Sequence, residues 1–474
     1  MTERFRRTKI VATVGPSCRA PGMIDKLIKA GVDVFRVNLS HATLAELDDW
    51  ISIVRASAAA QGRTVGVLAD LQGPKLRLGR LSGHTPVTLA DGAAVDITTQ
   101  DVEGTSARLS TRYAALPHDV KMGDRILLAD GTVELRVDEV DKDSVRCTVV
   151  HGGTIKEFAG MNLPGVAVSS PALTEKDRVD LDHAVQAGAD FIALSFVRHP
   201  GDVREAKVAV ATAGGDTPVI AKIERPEAIE ELDEIINASD AVMVARGDLG
   251  VEMAAERVPM LQKLIIKRAG ALLKPVITAT QMLESMVHAP RPTRAEASDV
   301  ANAIIDGTDA TMLSEETAAG EYPLESVQTM VRIALETEEF FPPRVRRSVR
   351  VDSDSHAISH AACSITESID VRCIAAFTSS GFSARIVSKD RPKVPIYAYA
   401  PDDIIARRLV LDWGVIPCLI TFGGSTDELI AVVEADLLAR RVVAPGEAVV
   451  VVGGTPMGVR GKTNFLKIIR PESP

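Results

Sequence analysis

The chain has 474 residues, 46% hydrophobic and 25% charged, a balance that excludes wholesale disorder and, at ~150 residues per domain, predicts about three domains. Its 54 basic and 64 acidic side chains give a net charge of −10, so there is no global basic surface for nucleic acid and an anionic ligand must be held by local positive charge. No apolar run approaches the ~18 residues of a membrane span, and the basic start, residues 1–15, has too short an apolar stretch before Pro16 to read as a signal peptide. Five widely spaced cysteines without a C-x-x-C pair (Cys18, Cys147, Cys363, Cys373, Cys418) suit reduced thiols in a cytoplasm.

In chain order, short apolar β-branched runs at 9–15, 32–40 and 65–72 alternate with amphipathic segments. The same rhythm returns at 189–197, 218–224, 241–250, 275–281 and 309–317. The runs are continuous instead of alternating, as strands covered on both faces require. Thr293 with Glu296 forms a capping box ahead of a helix over 294–306, and Thr174 precedes a helix carrying Val179, Leu181 and Val185. Gly31, Gly188 and Gly307 stand where helices should stop. Three strands plus five make the eight βα units of a closed (β/α)8 barrel.

Between Gly73 and Ser170 the texture changes to Val, Thr, Gly and Asp, with alternating runs at 125–128, 133–137 and 145–150 and turn pairs Asp91-Gly92 and Asp130-Gly131. This predicts a small β-barrel inserted after the third strand, over the mouth of the larger barrel, where a lid is useful. Past Pro342-Pro343, residues 344–354 read as a linker or exposed helix start. Runs at 374–378, 396–399, 416–420, 448–452 and 467–470 then predict a third, α/β domain with an open sheet. The expected division is 1–72 with 171–343, then 73–170, then 344–474.

Polar residues gather at the C-terminal ends of the barrel strands: Arg36, Asn38 and Ser40; Asp70; Ser195; Lys222 and Glu224; Arg246 and Asp248; Thr280; Ser314 and Glu316. That rim is where barrel active sites form. Taken singly, each has a plain structural reading: a capping carboxylate, an ion-pair partner, a hydroxyl bonded to backbone. Together on one rim they read as a site. Glu224 and Asp248, without histidine or cysteine partners, are hard oxygen ligands suited to Mg²⁺ or Mn²⁺. Lys222, two residues before Glu224, shares its strand face and adds an ammonium where negative charge develops on oxygen. Arg36, Lys75 and Arg77 add cations, and Gly247 leaves amides of the 246–248 segment free for a carboxylate. His41 is either a nucleotide contact or an ordinary loop residue. The set suits a small, multiply anionic substrate and either phosphoryl transfer or enolate stabilisation.

At these residues the sequence resembles the pyruvate kinase family. The matching segments are KIVATVGP at 9–16, RVNLSH at 36–41, DLQGPK at 70–75, MNLPG at 161–165 and AKIE at 221–224. They continue as MVARGDLG at 243–250, TATQMLESM at 278–286, PTRAE at 292–296 and MLSEETA at 312–318. The resemblance implies phosphoryl transfer from phosphoenolpyruvate to ADP, giving pyruvate and ATP. It assigns Glu224 and Asp248 to Mg²⁺ (or Mn²⁺), and the amides of Gly247 and Asp248 with the Thr280 hydroxyl to the substrate carboxylate. Lys222 neutralises the transferring group and the enolate, while Arg36 orients the phosphoryl. Arg77, His41 and Asn38 face the nucleotide, and Thr280, Ser314 and Glu316 stand where a relay could protonate the enolate. Arg246 is expected to reach a neighbouring subunit, which makes a homotetramer the expectation.

Two departures bear on cations and the lid. Asn38, Ser40, Asp70 and the carbonyl of Leu71 resemble a monovalent-cation cage, but Leu71 replaces a threonine and Lys75 an acidic residue of K⁺-requiring relatives, so the Lys75 ammonium is expected to stand in for K⁺. The lid lysine of the family is Ala159 here, with Lys156 out of register. In the third domain, Thr378, Ser379, Ser380, Gly381 and Ser383 at a strand end suit a phosphorylated-sugar or AMP effector. Gly453-Gly454-Thr455 and a loop over 458–464, with Arg460 and Lys462, are expected to close over it. Two rivals remain: another Mg²⁺-dependent barrel enzyme acting on pyruvate enolates, which leaves Arg77, the lid and the third domain unexplained, and a non-catalytic ligand sensor, against which Lys222, Glu224, Asp248 and Thr280 argue.

Overall fold

The computed structural model describes residues 4–342, 353–423, 425–455 and 462–472. Eight parallel strands close a barrel: β1 (Lys9–Thr13), β2 (Val34–Asn38), β3 (Gly66–Asp70), β4 (Phe191–Leu194), β5 (Val219–Ile223), β6 (Ala241–Ala245), β7 (Val276–Ala279) and β8 (Ala310–Leu313), with β8 returning to pair with β1. Their side chains are buried on both faces. One set packs inside the barrel (Val11, Leu68, Ile220, Met243, Ile277) and the other against the helices (Ile10, Val67, Ala221, Val244), which is why the runs read as continuous. The strands are shorter than their apolar runs. Residues 246–250, expected as strand, open a helix over Arg246–Glu252, and Ser314 caps another over Glu315–Ala318, because chain leaving the sheet no longer has a partner to pair with. The Thr293–Glu296 capping box is present, as is one between Thr174 and Asp177. Val179 is largely exposed instead of in the core; that helix buries Leu181 and Ala184.

The lower end of the barrel carries a fourfold repeat. Asp33, Asp190, Asp240 and Asp309 each immediately precede an even-numbered strand. Each carboxylate accepts the backbone N–H of one residue on the preceding odd strand: Ile10 (2.8 Å), Val67 (2.7 Å), Val219 (2.9 Å) and Val276 (2.8 Å). Each aspartate's own N–H returns a bond to the carbonyl of that same residue. The motif satisfies strand-start amides that the parallel ladder leaves over. Every one of these carboxylates has a cation: Arg6 on Asp33, Lys207 on Asp240, Arg55 and Arg407 on Asp190, and Lys389 and Arg391 on Asp309. The last three of those cations come from the C-terminal region, on opposite sides of the barrel.

The insertion forms a six-stranded sheet and a two-stranded ribbon. The sheet's edges, Met161–Asn162 and Arg108–Ser110, are both bridged by the outgoing segment, Arg77 to Gly160 and Leu78 to Thr111. The sheet therefore curls closed, with Leu89, Ile97, Ile126 and Leu135 in its core. The third region has five strands, β9 (Val371–Phe377), β10 (Ile396–Ala400), β11 (Val415–Leu419), β12 (Ala448–Gly453) and β13 (Phe465–Ile469), in the order 11-10-9-12-13 with only β13 antiparallel. Residues 343–352 of the expected linker, and Gly458 and Arg460 of the expected closing loop, lie outside the described residues. The five cysteines are free and buried. Among the described residues no helix is long and apolar enough to cross a membrane.

Lys9, at the start of β1, is buried at the junction of the barrel with the C-terminal sheet and donates to the Val415 carbonyl at 2.6 Å. Burial lowers its pKa to about 8, with Asp33 opposing and Arg6 and Arg63 assisting. A lysine whose folded-state pKa lies below its unfolded value leaves the unfolded chain holding the extra proton between the two, so stability rises with pH in that window. From pH 8 to 10 the wild type should gain on the order of 1 kcal/mol per pH unit relative to Lys9→Met. Denaturant midpoints of both proteins across that range check this; parallel curves would contradict it.

Candidate active site

The C-terminal strand tips converge on Lys222. This residue precedes the last of β5 and is buried, with its ammonium 2.8 Å from Ser195 Oγ, 2.9 Å from Glu224 Oε1 and 3.3 Å from Asp70 Oδ1. The Ser195 hydroxyl donates in turn to the Leu71 carbonyl at 2.8 Å. Arg36, in the middle of β2, gives its Nε to the other oxygen of Asp70 at 2.6 Å and its Nη1 to Thr13 at 3.1 Å. Burial alone would lower the Lys222 pKa, but Asp70 and Glu224 outweigh it and hold the ammonium above its ordinary range. Burial would likewise raise Asp70, but Lys222 and Arg36 keep it below the usual carboxylate range.

Glu224 follows β5 directly. Its Oε2 accepts the Phe196 N–H at 2.8 Å, an amide aimed by the left-handed backbone of Phe196 (φ 55°). Its Oε1 is buried and has the Lys222 ammonium at 2.9 Å but no further hydrogen-bond donor. Burial pushes Glu224 up to about 7, against the pull of Lys222 and with the help of nearby Asp248. A buried, under-satisfied carboxylate oxygen beside a second carboxylate fits a hard divalent cation, with all-oxygen donors and positions left for water and substrate. Among the described residues no group of three or more His, Cys, Asp or Glu side chains is arranged to hold a metal ion by itself.

Thr280 and Gln281 hold left-handed backbone (φ 65° and 53°) just past β7. This turn sends the Thr280 hydroxyl to the Ala279 carbonyl (2.7 Å) and lets it accept the Gly247 N–H (2.7 Å). The Gly247 amide, expected to be free for a ligand, is thus held by Thr280. Ser314 keeps a buried hydroxyl with no partner. The Glu316 carboxylate is bound by the amides of Ser314 (2.6 Å) and Leu283 (3.0 Å), and burial raises its pKa. Arg246 is anchored within its own chain, by Asp299 at 2.6 Å and the Thr280 carbonyl at 2.6 Å.

The residues expected at the nucleotide and the monovalent cation surround the same mouth. His41 is exposed and its pKa is lowered, by partial burial first and then by Lys75, Arg77 and Arg36, which places three cations around it. Asn38 Oδ1 caps the Ser40 N–H at 3.1 Å, and Arg77 reaches the Phe158 carbonyl at 3.1 Å. Lys75 is exposed and lines a cleft between lid and barrel with Asp130, Asn162, Arg225, Asp248 and Glu252. The outgoing lid hinge needs glycine at 73: φ is +67°, and a Cβ there would lie 2.8 Å from the Phe196 ring. Lys156 is exposed on the lid. Far away, Ser379, Ser380 and Gly381 face a cavity between the C-terminal sheet and the barrel's lower end, beside Arg385 and Arg408. Thr378 is buried with its hydroxyl unpartnered, and Ser383 bonds Thr463 at 2.8 Å.

Sequence reasoning missed Ser195's place in the Lys222 network and missed Arg225 and Glu252 altogether. With residues 241–250 read as one strand, the four-residue helical spacing of Asp248 and Glu252, which puts both on one face, was hidden.

Residues 5–327 match the family model described as pyruvate kinase, barrel domain, and residues 356–469 the one described as pyruvate kinase, alpha/beta domain. A pyruvate kinase of Mycobacterium intracellulare is 45% identical over 473 residues, covering 98% of each chain. One from Corynebacterium glutamicum is 45% identical over 470 residues, 98% of this chain and 97% of its own. The crystal structure of a pyruvate kinase from Cryptosporidium parvum superposes with a TM-score of 0.92 at 35% identity, covering 98% of this chain and 96% of that one.

Proposed function

The chain belongs to the pyruvate kinase family and is an enzyme of that family, and from this premise we propose how its own residues transfer a phosphoryl group from phosphoenolpyruvate to ADP. The observation that carries the reading is the buried Lys222 ammonium held between Ser195, Glu224 and Asp70 at the barrel mouth. Glu224 and Asp248 would hold a divalent ion, Mg²⁺ or Mn²⁺, which when bound would supply positive charge to offset that of the anionic substrate. Thr280 and the amides of Gly247 and Asp248 hold the carboxylate of phosphoenolpyruvate, with the substrate displacing the Thr280–Gly247 bond. Lys222 meets the negative charge that grows on the transferring group and the departing enolate; in a loose transition state such placed charge is the main source of rate. Arg36, fixed by Asp70, orients the phosphoryl group.

Arg77, His41 and Asn38 take the nucleotide phosphates. Thr280 and the unpartnered Ser314 hydroxyl deliver the proton to the enolate, with Glu316 holding the Ser314 turn. Lys75 replaces the monovalent cation of the cage formed by Asn38, Ser40, Asp70 and the Leu71 carbonyl. In support, Asp70 is already paired with two cations and the Leu71 carbonyl with Ser195, which leaves little for K⁺ to bind. The chain divides as 1–72 with 171–343 (barrel), 73–170 (lid) and 344–474. The Thr378–Ser383 loop takes a phosphorylated sugar or AMP as effector, and the enzyme works as a cytoplasmic homotetramer in glycolysis.

Lys222→Met should lower kcat by at least ~10³-fold while phosphoenolpyruvate binding is largely kept, because the lost charge acts on the transition state. Steady-state ATP formation and equilibrium binding read the two, and unchanged turnover would end the proposal. Turnover should also be the same in sodium, tetramethylammonium and potassium buffers; a strong potassium requirement would remove Lys75 from its role.

A further inference from the structure

The lid's return to the barrel is gripped by two arginines, half-buried Arg198 and buried Arg225, that the reaction described above does not use. Arg198, after β4, binds the carbonyls of Val168 and of Ser170 (2.6 Å). Arg225, the residue next to Glu224, binds the carbonyl of Val166 at 3.1 Å. Three alternate carbonyls of the hinge are thus fixed from below.

Arg225 does more than hold the hinge. Its Nη1 lies 2.8 Å from Glu252 Oε1, and the same oxygen accepts the Asn162 amide at 3.1 Å. Asn162 belongs to the lid strand that pairs with Arg125–Leu128, whereas Glu252 stands four residues after Asp248 on the helix Arg246–Glu252. Both side chains of the pair are almost inaccessible, 6% and 0% exposed, and Glu252 Oε2 and Arg225 Nε have no hydrogen-bond partner. Arg225 Nη2 also meets Glu227 Oε1 at 3.1 Å, and a buried charge cluster that still leaves polar atoms unpartnered is poor value as a stabiliser. Its placement between three elements suggests a use.

We propose that Arg225 and Glu252 are positioning residues for phosphoryl transfer: their ion pair ties the lid's return hinge, through Val166 and Asn162, to the two segments presenting Glu224 and Asp248, so that lid placement and the divalent-ion site are set together. A guanidinium fork suits this because it holds two partners at fixed angles. A lid displaced from the barrel pulls on Asn162 and Val166, and the strain passes to the neighbours of both carboxylates. The inference rests on Glu224 and Asp248 being the ion's ligands.

The test uses Mn²⁺ alone as probe, titrated by electron paramagnetic resonance into the full-length protein, with kcat and the thermal midpoint recorded beside it. Asp248→Asn should abolish the tight site; if it does not, the assignment of the ligands fails, and with it this inference. Given that site, Glu252→Gln, which keeps the shape but removes the charge, should weaken Mn²⁺ binding roughly 10–100-fold and lower kcat. Asn162→Ala alters only the lid's arm, yet it should weaken Mn²⁺ binding by several-fold, a readout that a purely local packing role would not move. Wild-type Mn²⁺ affinity in both Glu252→Gln and Asn162→Ala would overturn the coupling, whatever happens to the thermal midpoint.

Discussion

An ammonium buried at a strand tip must be paid for in nearby anions, and Lys222 dictates the rest of the barrel mouth. Asp70 and Glu224 neutralise it, Arg36 then neutralises Asp70, and Asp248 adds a third carboxylate beside Glu224. Three carboxylates face two cations, so the cluster as it stands is short of positive charge. The divalent ion proposed for Glu224 and Asp248 would turn that deficit into a positive excess suited to a small, highly charged phosphate ester. Asp70 Oδ1, Glu224 Oε1 and the Ser314 hydroxyl are among the buried polar atoms that make no hydrogen bond, and all three lie at this mouth. Polar groups left unsettled where substrate must fit are what a site for transient charge requires.

Such a cluster works only if strand tips do not drift, and the opposite end of the barrel supplies that rigidity. The four aspartates before β2, β4, β6 and β8 fix an amide of the first or second residue of each odd strand, three or four residues below functional tips such as Asp70 and Thr280. Two of the four take cations from the C-terminal region, Arg407 on Asp190 and Lys389 with Arg391 on Asp309. The lower end of the barrel is therefore electrically complete only with the third region docked, and the upper end meets the lid through Arg198 and Arg225. One sheet is anchored at both ends by charge.

The barrel was readable because strands buried on both faces leave long apolar runs, and the glycines at 31, 188 and 307 mark where helices stop. The curled lid and open third sheet followed from alternation and turn pairs. The rim residues were readable as a set since Lys222 and Glu224 share a face at a spacing of two. What stayed hidden was geometry without a linear period. The helix at Arg246–Glu252 begins inside an apolar run, so the relation of Glu252 to Asp248 was lost, and the left-handed turns at Phe196 and Thr280 carry no glycine to announce them. The aspartate repeat did leave a trace, Gly-x-Asp before β2, β4 and β8, but only the structure shows each carboxylate reaching across to the neighbouring strand.

The most direct measurement is an anomalous-scattering map from crystals of the protein grown with Mn²⁺ and phosphoenolpyruvate. A single strong peak touching carboxylate oxygens of both Glu224 and Asp248, with the Lys222 ammonium turned onto the phosphoryl oxygens, is the expected result. A peak that excludes either carboxylate, or a phosphoryl group beyond reach of Lys222, would contradict the assignment of this charge cluster as the catalytic centre.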